Sequence, residues 1–209
     1  MTDYSQHGEQ QYILEALRPI ICPEGTGKPQ LGRLLDIGAW NAKTFSNSRA
    51  LIELGWSAVL FEPSPGPLRG LVEEYGKNPR VEVVGAAVTL GGGMLKLRCT
   101  DDALSADVNN AEHFKTWAGY GFYGDMWTNS VSLAAVFANW GDVDFVSLDT
   151  EGSSVALFSE MVRLKKKPRC VVVEHENQWE FLKEAAQHGG YRLVSPPEGS
   201  VNVVLELAK

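Results

Sequence analysis

Short, continuously apolar runs alternate along this chain with amphipathic stretches, and the alternation restricts the fold more than any other feature. Arg33–Ile37, Ser57–Phe61, Val81–Val88, Val143–Leu148 and Cys170–Val173 each read as a strand. Between and after them, Thr44–Leu54, Pro67–Tyr75, Val131–Trp140, Ser153–Leu164 and Trp179–His188 read as helices. A strand that is apolar at every position is covered on both faces, which calls for a parallel sheet with helices above and below. The last two runs, Tyr191–Val194 and Val201–Leu207, flank a Pro-Pro-Glu-Gly turn. A pair joined so tightly implies one antiparallel strand in an otherwise parallel α/β sheet. Local signals agree: prolines open the helix at Pro67, Ser153 or Ser154 can cap its helix, and Gly189-Gly190 can end another.

The 209 residues suffice for one domain with a substantial core. Residues 1–30 form an N-terminal segment with a helix at about Glu9 to Leu17, and residues 100–129 form one long insertion. No apolar run nears the ~18 residues of a membrane span. The start, Met1-Thr2-Asp3-Tyr4-Ser5-Gln6, lacks a secretory pattern, so a cytoplasmic protein without a membrane partner is expected. The net charge of −7 disfavours a nucleic-acid substrate. The basic run Lys165-Lys166-Lys167 with Arg169 reads as a solvated helix end. Cys22, Cys99 and Cys170 have no metal or redox spacing. The oligomeric state stays open, since Trp40, Trp56 and Trp140 suit either core or interface.

Ligands of open α/β sheets bind beyond the carboxyl ends of the strands. There this chain places Asp36-Ile37-Gly38-Ala39-Trp40-Asn41, then Glu62-Pro63, Ala86-Ala87, Asp149-Thr150-Glu151-Gly152 and Glu174-His175-Glu176-Asn177. Gly38 allows a tight turn and close approach of a ligand. Glu62, ending the second strand, can accept hydrogen bonds from ribose hydroxyls. The dinucleotide fingerprint of three glycines is absent, so a pyrophosphate has no cradle. That favours S-adenosylmethionine over a nicotinamide cofactor.

With these pieces in place the chain resembles the FkbM family of methyltransferases. The resemblance rests on Tyr4-Ser5-Gln6-His7-Gly8-Glu9, Leu35-Asp36-Ile37-Gly38-Ala39, Gly55-Trp56, Phe61-Glu62-Pro63-Ser64, Asp144 to Gly152 and Val173-Glu174. It implies a Rossmann-like class I methyltransferase sheet, bound S-adenosylmethionine, and methylation of a hydroxyl on a small molecule or sugar. Asp36, Gly38, Ala39, Asn41, Glu62, Pro63, Ala87, Asp149 and Glu151 are then the expected cofactor residues. The family continues Gly-Ala-Asn-Asp-Gly, whereas this chain has Gly38-Ala39-Trp40-Asn41-Ala42. Either the loop runs differently here or the family glycine is not left-handed.

Methyl transfer to oxygen needs a group that takes the hydroxyl proton. His175 stands at the ligand edge beside Glu174, and is either that base or a histidine satisfied by its own loop. Asp149 and Glu174 complete the expected catalytic set. Catechol O-methyltransferases are similar in placing magnesium ligands at these two strand ends, which makes Asp149, Glu174 and Glu176 metal candidates. The metal-free arrangement is the favoured one. In the insertion, Trp117, Tyr120, Phe122, Tyr123 and Trp127 among glycines read as a substrate lid or a local mini-core. Tyr123 and Trp127 are the substrate candidates there, joined by Gln6 and Glu9, which can equally be helix-start residues. Two other readings compete: a catalytically silent S-adenosylmethionine-binding domain, and a nicotinamide-dependent oxidoreductase. Against the oxidoreductase stands the lack of both phosphate glycines and a Tyr-x-x-x-Lys pair.

Overall fold

The computed structural model describes residues 2–23, 25, 30–100, 105–107, 121–195 and 199–208. His113, Trp117, Gly119, Tyr120 and the prolines of the last turn lie outside the described residues.

Seven strands form the main sheet: β1 (Arg33–Ile37), β2 (Ser57–Phe61), β3 (Val81–Val84), β8 (Phe145–Leu148), β9 (Cys170–Glu174), β10 (Tyr191–Ser195) and β11 (Asn202–Leu207). Their spatial order is β10-β11-β9-β8-β1-β2-β3. β9, β8, β1, β2 and β3 pair in parallel, and β11 runs antiparallel to both β9 and β10. The sheet is therefore mostly parallel with one antiparallel strand, as the strand pattern requires. One face packs against α5 (Leu133–Trp140), α6 (Ser154–Arg163) and α7 (Trp179–Gly189), through residues such as Val136, Phe158 and Leu182. The other packs against α1 (Glu9–Ala16), α3 (Arg49–Glu53) and α4 (Pro65–Tyr75), through Ile13, Leu51 and Leu71. A four-residue helix, α2 (Arg18–Ile21), follows α1. Successive residues of β1 alternate between the two cores, so Leu35 and Ile37 serve one face while Leu34 serves the other. Asp36 falls on the same side as Leu34.

Three sequence expectations change. The strand expected over Val81–Val88 is two strands. β3 ends at Val84, and β4 (Ala87–Thr89) leaves to join a second sheet. That sheet has the order β4-β7-β5-β6, with β5 (Gly93–Thr100), β6 (Ser105–Asp107) and β7 (Phe122–Ser132). Much of the expected insertion is thus regular: β5 and β7 pair antiparallel along most of their length. The helix expected over Thr44–Leu54 shrinks to Arg49–Glu53. Before it the Asn41 carboxamide accepts from Lys43 and Thr44 N–H groups, and Phe45 is left-handed at φ 57°, so the chain turns instead of coiling. The helix expected from Val131 starts at Leu133, because Ser132 ends β7 and caps α5 by accepting from Ala135 N–H at 3.2 Å.

Candidate active site

The strand order reverses direction between β1 and β8, so their carboxyl ends diverge into a crevice, the usual place for a ligand. Gly38 leaves β1 at φ +87°, and a Cβ built on it would lie 1.7 Å from the Asp149 carbonyl oxygen. Only glycine fits, because the two strand ends touch at this point. Its N–H and that of Ala39 both donate to the Phe61 carbonyl at 3.0 Å, which locks the β1 and β2 ends together.

Glu62 ends β2 with a carboxylate that is 4% exposed. Oε2 accepts from Trp40 N–H at 2.9 Å and Oε1 from Ser64 N–H at 2.7 Å. Burial raises its pKa, and these backbone donors oppose the rise. The Trp40 bond also shows how the loop departs from the family pattern. Ala42 is not left-handed; Trp40 is, at φ 39°, and its ring stacks on Phe45 with centroids 5.9 Å apart.

Gly38, Glu62, Pro63, Ala87, Asp149 and Glu151 line one cleft of about 480 Å³, open solvent at its mouth included. Ile37, Phe61 and Val88 form its apolar floor, Leu95 and Leu97 of β5 wall it, and Thr150 and Ser153 complete the polar rim. Three carboxylates face this space, and no lysine or arginine lines it. Sequence reasoning missed the β5 wall; the alternation of Leu95, Leu97 and Cys99 was the available signal.

Behind the cleft the carboxylates crowd. One oxygen each from Asp149, Glu151 and Glu174 lies within 4.8 Å of the others. Burial first, then the neighbouring carboxylates, pushes the Asp149 and Glu174 pKa values well up. Two acids held this close share a proton instead of both ionising. Asp36 lies beneath, 3% exposed and outside the cleft lining. Burial pushes its pKa up to about 6, against hydrogen bonds from Ser48 and Ser147. Glu151 itself is left-handed at φ 54°, a strained conformation for a glutamate.

The remaining expected site residues are placed elsewhere. His175 accepts from Asn177 N–H through Nδ1 at 3.0 Å, which leaves Nε2 protonated to face the Ser200 carbonyl at 3.3 Å. Its ring stacks on Trp179 at 4.4 Å, and burial lowers its pKa. It is therefore satisfied by its own loop and does not line the cleft. Glu176 departs from the metal set: Oε1 accepts from Gly152 and Ser154 N–H at 2.9 and 2.8 Å, capping α6, and Oε2 accepts from Gln178. Glu9 is fully buried, bound to His7 N–H and the Ser200 hydroxyl, while Gln6 is exposed at the surface. Asn41 builds its own turn, and Ala39 belongs to the core on the α1 face. Tyr123 and Trp127 are 68% and 65% exposed. Trp127 stands opposite Lys96 in register, so strand alternation turns it away from Leu95 and Leu97.

Among the described residues no helix is long and apolar enough to cross a membrane. No curated protein matches the chain. Solved structures of low identity are similar to the chain. The fibrillarin pre-rRNA processing protein of Methanococcus jannaschii is 14% identical over 86% of this chain and 68% of its own, with a TM-score of 0.46. A human methyltransferase 10 domain containing protein is 14% identical over 95% of this chain and 81% of its own, at 0.48. Aeropyrum pernix fibrillarin, solved with natively bound S-adenosyl-L-methionine, is 9% identical over 83% and 65%, at 0.43. The chain thus spans about two thirds of the length of either fibrillarin. A family model, the methyltransferase FkbM domain, matches residues 36–193 and so takes in every strand end of the cleft. With that match spanning most of the sequence, the chain belongs to the FkbM methyltransferase family.

Proposed function

We propose that this chain, acting as one domain, transfers a methyl group from S-adenosylmethionine to a hydroxyl of a small molecule or sugar. The carrying observation is the charge of the cleft: apolar walls, three carboxylates and no basic side chain among its lining residues. Such a lining repels a pyrophosphate and attracts a cation. S-adenosylmethionine is a nucleoside that carries an ammonium and a sulfonium group and no phosphate. Glu62 would take the ribose hydroxyls, the floor of Ile37, Phe61 and Val88 would hold the base, and Asp149 with Glu151 would face the cationic end.

When bound, S-adenosylmethionine supplies a methyl group activated by positive sulfur. The chain's own residues do the rest. The β1 and β8 ends, locked at Gly38, fix the cleft's geometry and so orient what binds there. His175, with both ring nitrogens engaged, does not serve as base. The Asp149–Glu174 pair takes that place, because burial and neighbouring carboxylates raise its pKa and so make it a better proton acceptor than an ordinary carboxylate.

The test is a thermal titration of the whole chain with S-adenosylmethionine and separately with NAD, repeated in Glu62→Ala. A ligand at 100 times its Kd adds about 2.7 kcal/mol to stability. Stabilisation by S-adenosylmethionine alone, lost in Glu62→Ala, is expected; stabilisation by NAD alone overturns the reading. A panel of hydroxylated small molecules, sugars and RNA with methyl-labelled cofactor then identifies the acceptor. Binding without turnover on any of them would mark a silent binding domain.

A further inference from the structure

A second groove runs between the β1 loop and α4. It encloses about 890 Å³, open solvent included, and shares no lining residue with the cofactor cleft. Small-molecule sites commonly span about 300–1,000 Å³. Trp40, Asn41 and Lys43 line the groove from the loop, and Gly70, Glu73 and Glu74 line it from the helix. Its aromatic wall uses a disfavoured backbone: Trp40 and Phe45 are both left-handed, at φ 39° and 57°, an unusual state for bulky residues. The two rings lie 22° from parallel with centroids 5.9 Å apart, so Phe45 braces the indole. On the helix side, a Cβ built on Gly70 would meet nothing within 4 Å.

The charges of this groove are already paired, in contrast to those of the cleft. Lys43 Nζ lies 2.7 Å from Glu74 Oε2, Arg49 Nη1 2.9 Å from Glu74 Oε1, and Arg69 Nε 2.8 Å from Glu73 Oε1. A phosphate entering here meets two carboxylates, and a cation meets carboxylates that have their counterions. The paired groups still offer lone pairs and N–H donors to hydroxyls. An aromatic face beside a polar rim without net attraction for ions suits an uncharged ring with one apolar face and a hydroxylated edge. We infer that this groove binds an uncharged saccharide ring, with the ring's apolar face on the Trp40 indole and its hydroxyls on Asn41, Lys43, Glu73 and Glu74. Trp40 joins the two sites, because its backbone N–H donates to the Glu62 carboxylate at 2.9 Å. Only the purpose rests on the methyltransferase reading: the groove would anchor one sugar unit of an oligosaccharide acceptor while another is methylated.

The experiment is saturation-transfer NMR on the whole chain without S-adenosylmethionine. The probes are glucose, galactose, mannose, rhamnose, N-acetylglucosamine, maltotriose and cellotriose, with adenosine as competitor. At least one saccharide should bind with a millimolar Kd or better, and adenosine should not displace it. Trp40→Ala should weaken that binding at least tenfold. Gly70→Leu should do the same by filling the groove, and a leucine in place of a helical glycine favours the helix. Circular dichroism checks both folds; should Trp40→Ala unfold, Gly70→Leu decides. Gly70→Leu should also keep the thermal shift given by S-adenosylmethionine, since the two linings are separate. Absence of transfer to every saccharide at tens of millimolar overturns the inference. So does binding equal in the native chain and both variants. Displacement by adenosine would assign the groove to a nucleobase and overturn it as well. Saccharide binding in a chain that S-adenosylmethionine fails to stabilise would remove the cofactor reading and leave the groove standing.

Discussion

Two parts of one sheet edge use the same side chain in opposite ways. At β2, Glu62 is buried but supplied with donors: each carboxylate oxygen accepts one backbone N–H and keeps a lone pair for a ligand. At β8 and β9, Asp149 and Glu174 are crowded against other acids, and Glu174 keeps a bare buried oxygen. The first arrangement is pre-organised, since the loop that covers Glu62 also orients it. The second is incomplete without a proton or a cation. Complementarity to a ligand can therefore be built by supplying donors in advance or by withholding them.

The junction that separates the two regions is Gly38, and breaking it should have the largest effect. In Gly38→Ala the new Cβ would collide with the Asp149 carbonyl at a left-handed φ. A loss of about 3 kcal/mol or more is expected. That corresponds to a fall in Tm of roughly 6–12 °C for a chain of this size, with cofactor binding abolished. An unchanged Tm would mean that the β1 and β8 ends are not in contact.

Asp36 is buried beneath the donor-poor region, and its titration measures what burying a carboxylate there costs even with Ser48 and Ser147 donating to it. Its folded pKa of about 6 lies above the ordinary 3.8. Between those values the folded state holds more protons than the unfolded one, so stability falls as pH rises through the window. The penalty is complete above pH 6 and absent below about pH 4. Asp36→Asn should stabilise the chain at pH 7.5 by up to about 3 kcal/mol, an advantage that fades on acidification. Denaturant melts of both proteins across pH 4–8 check this; a constant difference would remove Asp36 from the comparison.

Glu62→Gln sharpens the donor-supplied side. The amide keeps one acceptor and turns an N–H₂ group toward a backbone donor, leaving both without partners. S-adenosylmethionine affinity should fall about tenfold, or 1.4 kcal/mol, read by calorimetry, with Tm changed far less than in Gly38→Ala. Equal losses in affinity and stability would make Glu62 a structural residue only.

The donor-supplied region was the legible one. Gly38 and Glu62 occupy fixed places at the ends of adjacent apolar strands, and parallel pairing of those strands brings them to one crevice. That the main sheet is mostly parallel with one antiparallel strand follows from the same apolar runs and the last tight turn, whereas its strand order was implied by the family resemblance. The donor-poor region was legible only in composition. That Glu176 would turn back to cap α6 while Glu151 joined Glu174 depends on contacts between separate loops and on left-handed backbone at Glu151, Glu176 and Asn177. No local pattern encodes these. The second sheet was hidden for a related reason. β7 mixes Tyr, Gly, Asp, Trp and Asn with few apolar residues, and is a strand because β4 and β5 bracket it. The same pairing carries Trp127 to its outer face.

His175 gives the smallest expected effect and the clearest test of where the chemistry lies. Sequence position alone puts it beside Glu174 at the ligand edge, where a base is wanted. In the fold its Nδ1 is occupied by Asn177 N–H, its Nε2 faces Ser200, and Ser200 in turn donates to Glu9. The ring thus tends the junction between the β9 loop, the β11 start and the N-terminal helix. In His175→Asn the short carboxamide can still accept from the Asn177 backbone, so the loop should hold. Turnover of an identified acceptor should stay within about threefold of the native rate, whereas removal of a general base typically costs about 10²–10⁴-fold. The pH–rate profile should also keep its shape, because a group that does not line the cleft contributes no limb to it. A hundredfold loss with the profile's acid limb abolished would return the base to His175. The carboxylates at β8 and β9 would then be left with binding alone.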